Sequence, residues 1–348
     1  METYIGIEGG GTRTRVLVQH GDNPPAYHDR AVSLKVRGGD YAASAQALAR
    51  LMEEDIGIAS TELSAASIAI GLSGMSRESD QSLLASAIHA LPVFSHIRLH
   101  IETDATLTMK SVLSDRQSFG ESMSNHSAAG ILLIAGTGSV IYYQRAEGGT
   151  HRIGGWGPVL SDEGSGYRLG LRTLRWYIHV LDGLLPRDSF FETISARINY
   201  IKIDSEDRFA ITRLAEQKPV FVASLAKDLL DASIDDAAAP FNGSAAPFNE
   251  VAAPFNEAAR DEESAQDVLR EEMIELILML QPLLSEEVMG CEPPYPLYLS
   301  GSVARHAATM DMLNFGLNGM DEARIRLIPV DDVLPCLKAL EIARNNSR

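Results

Sequence analysis

Residues 4–19 read YIGIEGGGTRTRVLVQ. Two apolar-rich runs, Tyr4–Glu8 and Thr14–Gln19, flank a glycine-rich turn, so the stretch reads as a β-hairpin whose turn has been enlarged. Residues 130–144, GILLIAGTGSVIYYQ, repeat the pattern in different letters: strand Gly130–Ala135, turn Gly136-Thr137-Gly138, strand Ser139–Gln144. Two hairpins of one design in the two parts of a 348-residue chain predict two domains of similar topology.

Working outward, the first hairpin leads to a weaker strand over Tyr27–Lys35 and a helix over Tyr41–Asp55, with Ala45, Leu48, Ala49 and Met52 at helical spacing. A strand over Ser67–Leu72, a helix over Ser79–Leu91, a strand over Ile97–Glu102 and a helix over Ala105–Leu113 follow. Residues 114–127 are polar and aperiodic and read as a domain junction. After the second hairpin, helices dominate Leu169–Leu181, Arg187–Ile201 and Asp261–Leu284. Strand Pro296–Ser300 then runs through Gly301 into a helix from Val303, and strand Arg324–Ile328 and helix Asp332–Arg344 close the chain. Strands alternating with helices predict α/β domains, each a mixed sheet with helices on its faces.

The composition excludes several functions. Asp+Glu 47 against Lys+Arg 30 give a net charge of −17, with no basic run to bind nucleic acid or an anionic membrane. Two cysteines, Cys291 and Cys336, make neither a disulfide framework nor a CxxC pair. The N-terminus enters a strand with no signal-peptide pattern, and the most apolar window, 128–143, is interrupted by Gly136, Thr137 and Gly138. A cytoplasmic location is expected. One segment stands apart: Ala-Pro-Phe-Asn occurs three times, placing Phe241, Phe248 and Phe255 seven apart. A proline in every unit forbids a continuous helix, so 238–257 is expected to be a disordered surface insertion, with a partner-docking role as the alternative.

Three glycine turns and two acidic stretches carry the chemistry. Gly10 and Gly11 let backbone N–H groups approach an anion, and Thr12 adds a hydroxyl. A merely tight hairpin is the alternative. Gly136, Thr137 and Gly138 repeat the device, and two such turns could grip a polyphosphate from both sides. Ser300-Gly301-Ser302 is a turn against which a nucleoside could lie. Asp104 follows the predicted strand ending at Glu102, on the sheet edge where α/β proteins bind ligands, and could take a proton from an attacking hydroxyl. It could equally cap the next helix. Residues 154–166, GGWGPVLSDEGSG, put five glycines, Trp156, Asp162 and Glu163 in thirteen positions, which suits a binding loop better than a regular element. Capping of the following helix by the two acids is the alternative.

The set GGGTRT, GLSGM, ETDA, AGTGSV, GGWGPVLSDEGSGYRLG and LSGSVA, in this order, resembles the N-acetylglucosamine kinase/BadF-type branch of the sugar kinase–Hsp70–actin superfamily. The resemblance implies two ribonuclease-H-like (actin-like ATPase) domains around a cleft, 1–118 and 119–331, with a C-terminal helix near 332–345 packing back on the first. It implies ATP and Mg²⁺ as cofactors, Asp104 as catalytic base and Glu8 as the acid near magnesium. Gly10, Gly11 and Thr12 match the first phosphate loop, and Gly136, Thr137 and Gly138 the second. Gly301 and Ser302 match the adenosine turn; Ser73, Gly74, Trp156, Asp162 and Glu163 fall on the sugar side. The implied activity is phosphorylation of a hydroxyl, O6 in the first instance, of N-acetylglucosamine or glucosamine, by a protein compatible with a homodimer. Ser33–Asp40 holds no Asn and Val140 follows the second turn, so N-acetylmuramic acid or another N-substituted sugar stays open. The alternative class is a BadF-type ATPase activator of a 2-hydroxyacyl-CoA dehydratase-like enzyme, which needs cysteines for an iron–sulfur cluster.

Overall fold

A computed structural model describes residues 2–11, 13–75, 79–114, 129–235, 264–318 and 324–346. The Ala-Pro-Phe-Asn insertion, Thr12 and all of the expected junction except Ser114 lie outside them. The chain divides into two units, residues 1–124 with 330–348, and residues 125–329.

In the first unit the order is β1 (Thr3–Gly9), β2 (Thr14–His20), β3 (Ala26–Arg30), α1 (Tyr41–Arg50), α2 (Ser60–Leu63), β4 (Ser67–Leu72), α3 (Ser79–His89), β5 (Arg98–Thr103) and α4 (Asp104–Ser114). The sheet runs β3-β2-β1-β4-β5, with β1 antiparallel to β2 and parallel to β4. All six residues of β4 are buried, the pattern of a central parallel strand covered on both faces. Tyr41–Asp55 is one helix only to Arg50; a π-helical turn over Leu51–Ile56 follows, ended by Gly57 at φ +83°. The third strand stops at Arg30 rather than Lys35, because its partner β2 begins at Thr14, opposite Arg30; Leu34 beyond it is buried in the core.

The second unit holds β6 (Gly130–Ala135), β7 (Ser139–Gln144), β8 (Thr150–Ile153), α5 (Gly166–Leu181), α6 (Ser189–Tyr200), α7 (Arg208–Gln217), α8 (Pro219–Asp235), α9 (Ala265–Leu280), α10 (Glu286–Met289), β9 (Tyr295–Ser300), α11 (Ala307–Asn318) and β10 (Ile325–Pro329). Its sheet runs β8-β7-β6-β9-β10, with β6 antiparallel to β7 and parallel to β9. Position for position this is the order of the first sheet. The hairpin echo thus extends to the whole five-stranded topology. Strand β8, Thr-His-Arg-Ile, is a solvated edge with no apolar alternation, so its sequence carries no strand signal.

Helix α11 begins at Ala307, four residues after the expected Val303. The N–H groups of Val303 and Ala304 are both spent on the Ala135 carbonyl, at 3.0 and 3.1 Å, which holds 302–305 in a turn. Helices α5 and α8 cross at close range: a Cβ on Gly170 would stand 1.9 Å from the Val222 carbonyl oxygen. Gly166 and Gly170, four apart on one helix face, make that approach possible.

The last helix, α12 (Leu334–Asn345), belongs to the first unit and lies on its sheet. A Cβ on Gly6 would stand 2.5 Å from the Cys336 carbonyl oxygen, and Ser67 Oγ donates to the Ala343 carbonyl at 2.6 Å. Backbone therefore packs on backbone there, and β1 can carry no side chain at position 6.

Candidate active site

In the first unit three segments converge. The β1–β2 turn is closed by Gly10 N–H donating to the Arg13 carbonyl at 2.9 Å. Ser73 N–H donates to the Gly9 carbonyl at 3.0 Å, and Val36 N–H to the Ser73 carbonyl at 3.1 Å. Gly74, at φ +89°, has the Val36 carbonyl oxygen 2.2 Å from where a Cβ would be, so only glycine fits. The Ser73 hydroxyl is buried without a hydrogen-bond partner among the described residues.

Glu8 is the penultimate residue of β1, beside this turn. Arg15 donates to Glu8 Oε2 at 2.8 Å and reaches Asp332 Oδ2 at 3.1 Å. Glu8 Oε1 faces the turn, 3.9 Å from where a Cβ on Gly10 would stand. Burial raises the Glu8 carboxyl, Arg15 opposes the shift, and the nearby Asp104 charge adds to it. Hairpin alternation favours solvent-facing Arg13 and Arg15. Arg13 follows that rule, pairing with Asp29 at the surface, but Arg15 turns inward.

Asp104 stands at the carboxyl end of β5 as the first residue of α4. Its side chain is half-buried, and burial raises its pKa; the Ala105 N–H, 2.8 Å from Oδ1, and the Lys35 charge act in the opposite direction. The helix cap is Thr103, whose Oγ1 accepts from the Thr106 N–H at 3.0 Å. Thr103 thus holds the capping bond to Thr106, while Asp104 Oδ1 accepts the adjacent Ala105 N–H. Thr103→Ala should accordingly cost about 1 kcal/mol in urea unfolding. No loss at all would return the cap to Asp104.

In the second unit, Gly136 N–H donates to the Gly138 carbonyl at 2.9 Å and closes the β6–β7 turn. Residues 162–167 lie along it: Gly166 N–H donates to the Gly136 carbonyl at 2.7 Å, Tyr167 N–H to the Thr137 carbonyl at 3.1 Å, and Ser139 Oγ to the Glu163 carbonyl at 2.7 Å. Asp162 is buried, holds φ +66°, and accepts the Gly157 N–H at 3.1 Å. Its Oδ2 stands 2.8 Å from where a Cβ on Gly138 would be. A side chain other than Asn or Asp at that φ is strained, so the acid and its conformation are coupled. Glu163 Oε2 accepts from Ser161 Oγ at 2.9 Å. Neither acid caps α5; Ser165 does, accepting the Arg168 N–H at 3.2 Å.

Gly301, at φ +95°, joins the same edge: a Cβ there would stand 2.3 Å from the Ala135 carbonyl oxygen and 3.2 Å from Gly136 N. Ser302 is exposed beside it. Trp156 is 76% exposed, with the Arg152 guanidinium 5.7 Å from its ring centre.

Sequence reasoning missed two residues that anchor these segments. Lys35 lies over the first turn, as described below. Glu272 on α9, 0% exposed, accepts the Gly164 N–H at 2.9 Å and pairs with Arg168 and Arg172 of α5 at 3.0 and 2.5 Å. Only its charge amid an apolar helical stripe (Val268, Leu269, Met273, Leu276) could have flagged it.

Two sheets of one strand order, each carrying a glycine turn between its first two strands, define the actin-like, ribonuclease-H-like ATPase fold. The chain belongs to the BadF/BadG/BcrA/BcrD ATPase family, whose model matches residues 5–330. An N-acetyl-D-glucosamine kinase of Dictyostelium discoideum is 29% identical over 209 residues, 58% of this chain and 62% of that protein. An N-acetylmuramic acid/N-acetylglucosamine kinase of Clostridium acetobutylicum is 28% identical over 176 residues, 50% of this chain and 53% of that one. The chain thus spans between half and two thirds of these relatives. The crystal structure of a provisionally named N-acetylglucosamine kinase from Chromobacterium violaceum superposes with a TM-score of 0.65 at 21% identity, covering 98% of each chain, which shows the shared fold. Among the described residues no helix is long and apolar enough to cross a membrane.

Proposed function

We propose that the chain is an ATP-dependent amino-sugar kinase acting on a hydroxyl, O6 in the first instance, of N-acetylglucosamine or glucosamine. Asp104 carries this reading: a half-buried carboxylate with a raised pKa, at the carboxyl end of a parallel strand, while Thr103 holds the capping bond to Thr106. The relatives named as kinases for such sugars support it. The same reading takes 1–118 with the C-terminal helix and 119–331 as its two domains.

Asp104 orients the acceptor hydroxyl and takes its proton as the phosphoryl group transfers. The N–H groups around Gly10, Gly11 and Thr12, and around Gly136, Thr137 and Gly138, bind the phosphates, and Gly301 and Ser302 take the adenosine. Ser73, Gly74, Trp156, Asp162 and Glu163 are assigned to the sugar. Glu8 Oε1 is a hard oxygen donor facing the first turn. Mg²⁺ is ordinarily held by one or two carboxylates with substrate phosphates and water, so this donor fits it. Bound there, the ion would neutralise phosphate charge.

ATP consumption measured with N-acetylglucosamine, glucosamine, N-acetylmuramic acid, glucose and no sugar tests the reading. The first two should differ in kcat/KM, with glucose poorer than the better of them, because a site that pairs a 2-substituent leaves polar groups unsatisfied without it. Equal turnover of glucose would make the protein a general hexose kinase. Strong turnover without sugar would favour the activator class. Burial raises the Cys336 thiol well above its ordinary pKa, which opposes the thiolate that iron–sulfur ligation needs.

A further inference from the structure

The first phosphate turn is flanked by basic residues that carboxylates have already taken. Arg13 is paired with Asp29 through two hydrogen bonds of 3.0 and 2.9 Å, and Arg15 is divided between Glu8 and Asp332. Lys35 is different. It is exposed and forms no salt bridge among the described residues. Leu34 and Val36 on either side of it are 0% and 4% exposed, so alternation along this extended segment turns Lys35 away from the core. The segment is fixed at several points: Ser33 Oγ to the Gly10 carbonyl at 3.4 Å, Val36 N–H to the Ser73 carbonyl at 3.1 Å, and Ser44 Oγ to the Lys35 carbonyl at 3.5 Å. The aliphatic stem lies across Gly11 of the first turn and Gly74 of the neighbouring Ser73-Gly74 segment. Cγ is 3.0 Å from where a Cβ on Gly74 would stand, and Cδ is 3.8 Å from the equivalent point on Gly11. The ammonium acts electrostatically on Asp104.

We propose that the Lys35 ammonium contacts the terminal phosphoryl group of ATP and is a catalytic residue of the transfer. The inference rests on the kinase reading above and extends it to a group not assigned there. Transfer spreads negative charge over the equatorial oxygens of the moving phosphoryl group, and a fixed cation in the site stabilises that charge. A lysine suits the task because its ammonium is a compact point charge on a flexible stem. The glycines at 11 and 74 leave room for that stem, which a Cβ at 74 would crowd.

The test compares Lys35→Met with Arg37→Met, a neighbouring exposed cation, after thermal melts have shown both variants folded. Lys35→Met should lower kcat about a hundredfold. It should weaken a non-hydrolysable ATP analogue about tenfold, the scale of one charged hydrogen bond, while ADP binding stays within about twofold. Arg37→Met should stay within about threefold of the parent throughout. Lys35→Cys alkylated with bromoethylamine, which restores the ammonium, should recover most of the lost kcat relative to parent protein treated alike. Unchanged turnover in Lys35→Met, equal losses of ATP-analogue and ADP binding, or no recovery on aminoethylation would overturn the proposal. So would a loss confined to N-acetylmuramic acid, since Lys35 would then read a carboxylate on the acceptor. The analogue-against-ADP comparison needs no sugar. A parent protein without sugar-dependent turnover would therefore sink the kinase reading while leaving the phosphate contact of Lys35 decided by binding.

Discussion

Asp104→Asn is expected to lower kcat by at least about a hundredfold, because loss of a general base ordinarily removes 10² to 10⁴ in rate. Asn preserves the size of the side chain and the oxygen that accepts the Ala105 N–H. It removes the proton acceptor and the charge. Folding should be nearly untouched, since Thr103 and not Asp104 caps α4. ATP binding should likewise be nearly unchanged. The pH profile adds an independent reading. Burial raises the Asp104 carboxyl, so the parent loses kcat/KM on the acid side at a pH above the ordinary carboxylate range. The base works when ionised, so activity is present above that folded pKa and is lost as pH falls through it. The Asn variant should lack that limb. A folded variant that binds ATP and retains more than a tenth of parental turnover would remove Asp104 from the mechanism.

Glu272→Ala is expected to destabilise the second unit by about 3–5 kcal/mol, the cost of breaking a buried ion pair by removing one partner. The reason is local. Arg168 and Arg172 have side chains only 23% and 20% exposed, and the variant would leave the Gly164 N–H without an acceptor. Glu271 and Glu275 retain part of the arginine charge pairing, which places the loss at the lower end of that range. Glu272→Gln keeps an oxygen for Gly164 and should lose roughly half as much. Urea unfolding monitored together with hydrogen exchange in α5 and α9 checks this. A midpoint shift worth less than about 1 kcal/mol would show that the remaining acids suffice. Because Gly164 follows Asp162 and Glu163, exchange in residues 154–166 should rise in Glu272→Ala before the unit unfolds.

The two hairpins were legible because period-two apolar runs and glycine turns are local signals. Their equivalence was legible too, from a shared strand–glycine turn–strand pattern without a sequence repeat. Strand β8 was not legible: a solvated edge strand is defined by its partner β7 and not by its own residues. The start of α11 was misjudged for a similar reason. Whether Val303 and Ala304 open a helix depends on the Ala135 carbonyl, far away in the chain, which claims both of their N–H groups. The same limit applied at Asp104. The letters Glu-Thr-Asp-Ala allow either Thr103 or Asp104 to cap, and the placement of the strand end relative to the helix decides for Thr103.

Local sequence by itself determined which segments are strands and helices over most of the chain, where the glycine turns fall, and that the chain has two similarly built parts. Those properties follow from side-chain periodicity and from the absence of Cβ atoms at particular positions, which act over a few residues. Tertiary structure alone decided which charges are spent and which are free. Arg15 is drawn inward by Glu8 and Asp332, Arg13 is taken by Asp29, and Glu272 is buried against two arginines. Lys35 is left over Gly11 and Gly74, with its charge acting on Asp104. Charge pairing acts through space between segments up to hundreds of residues apart, and its strength depends on the burial that folding creates.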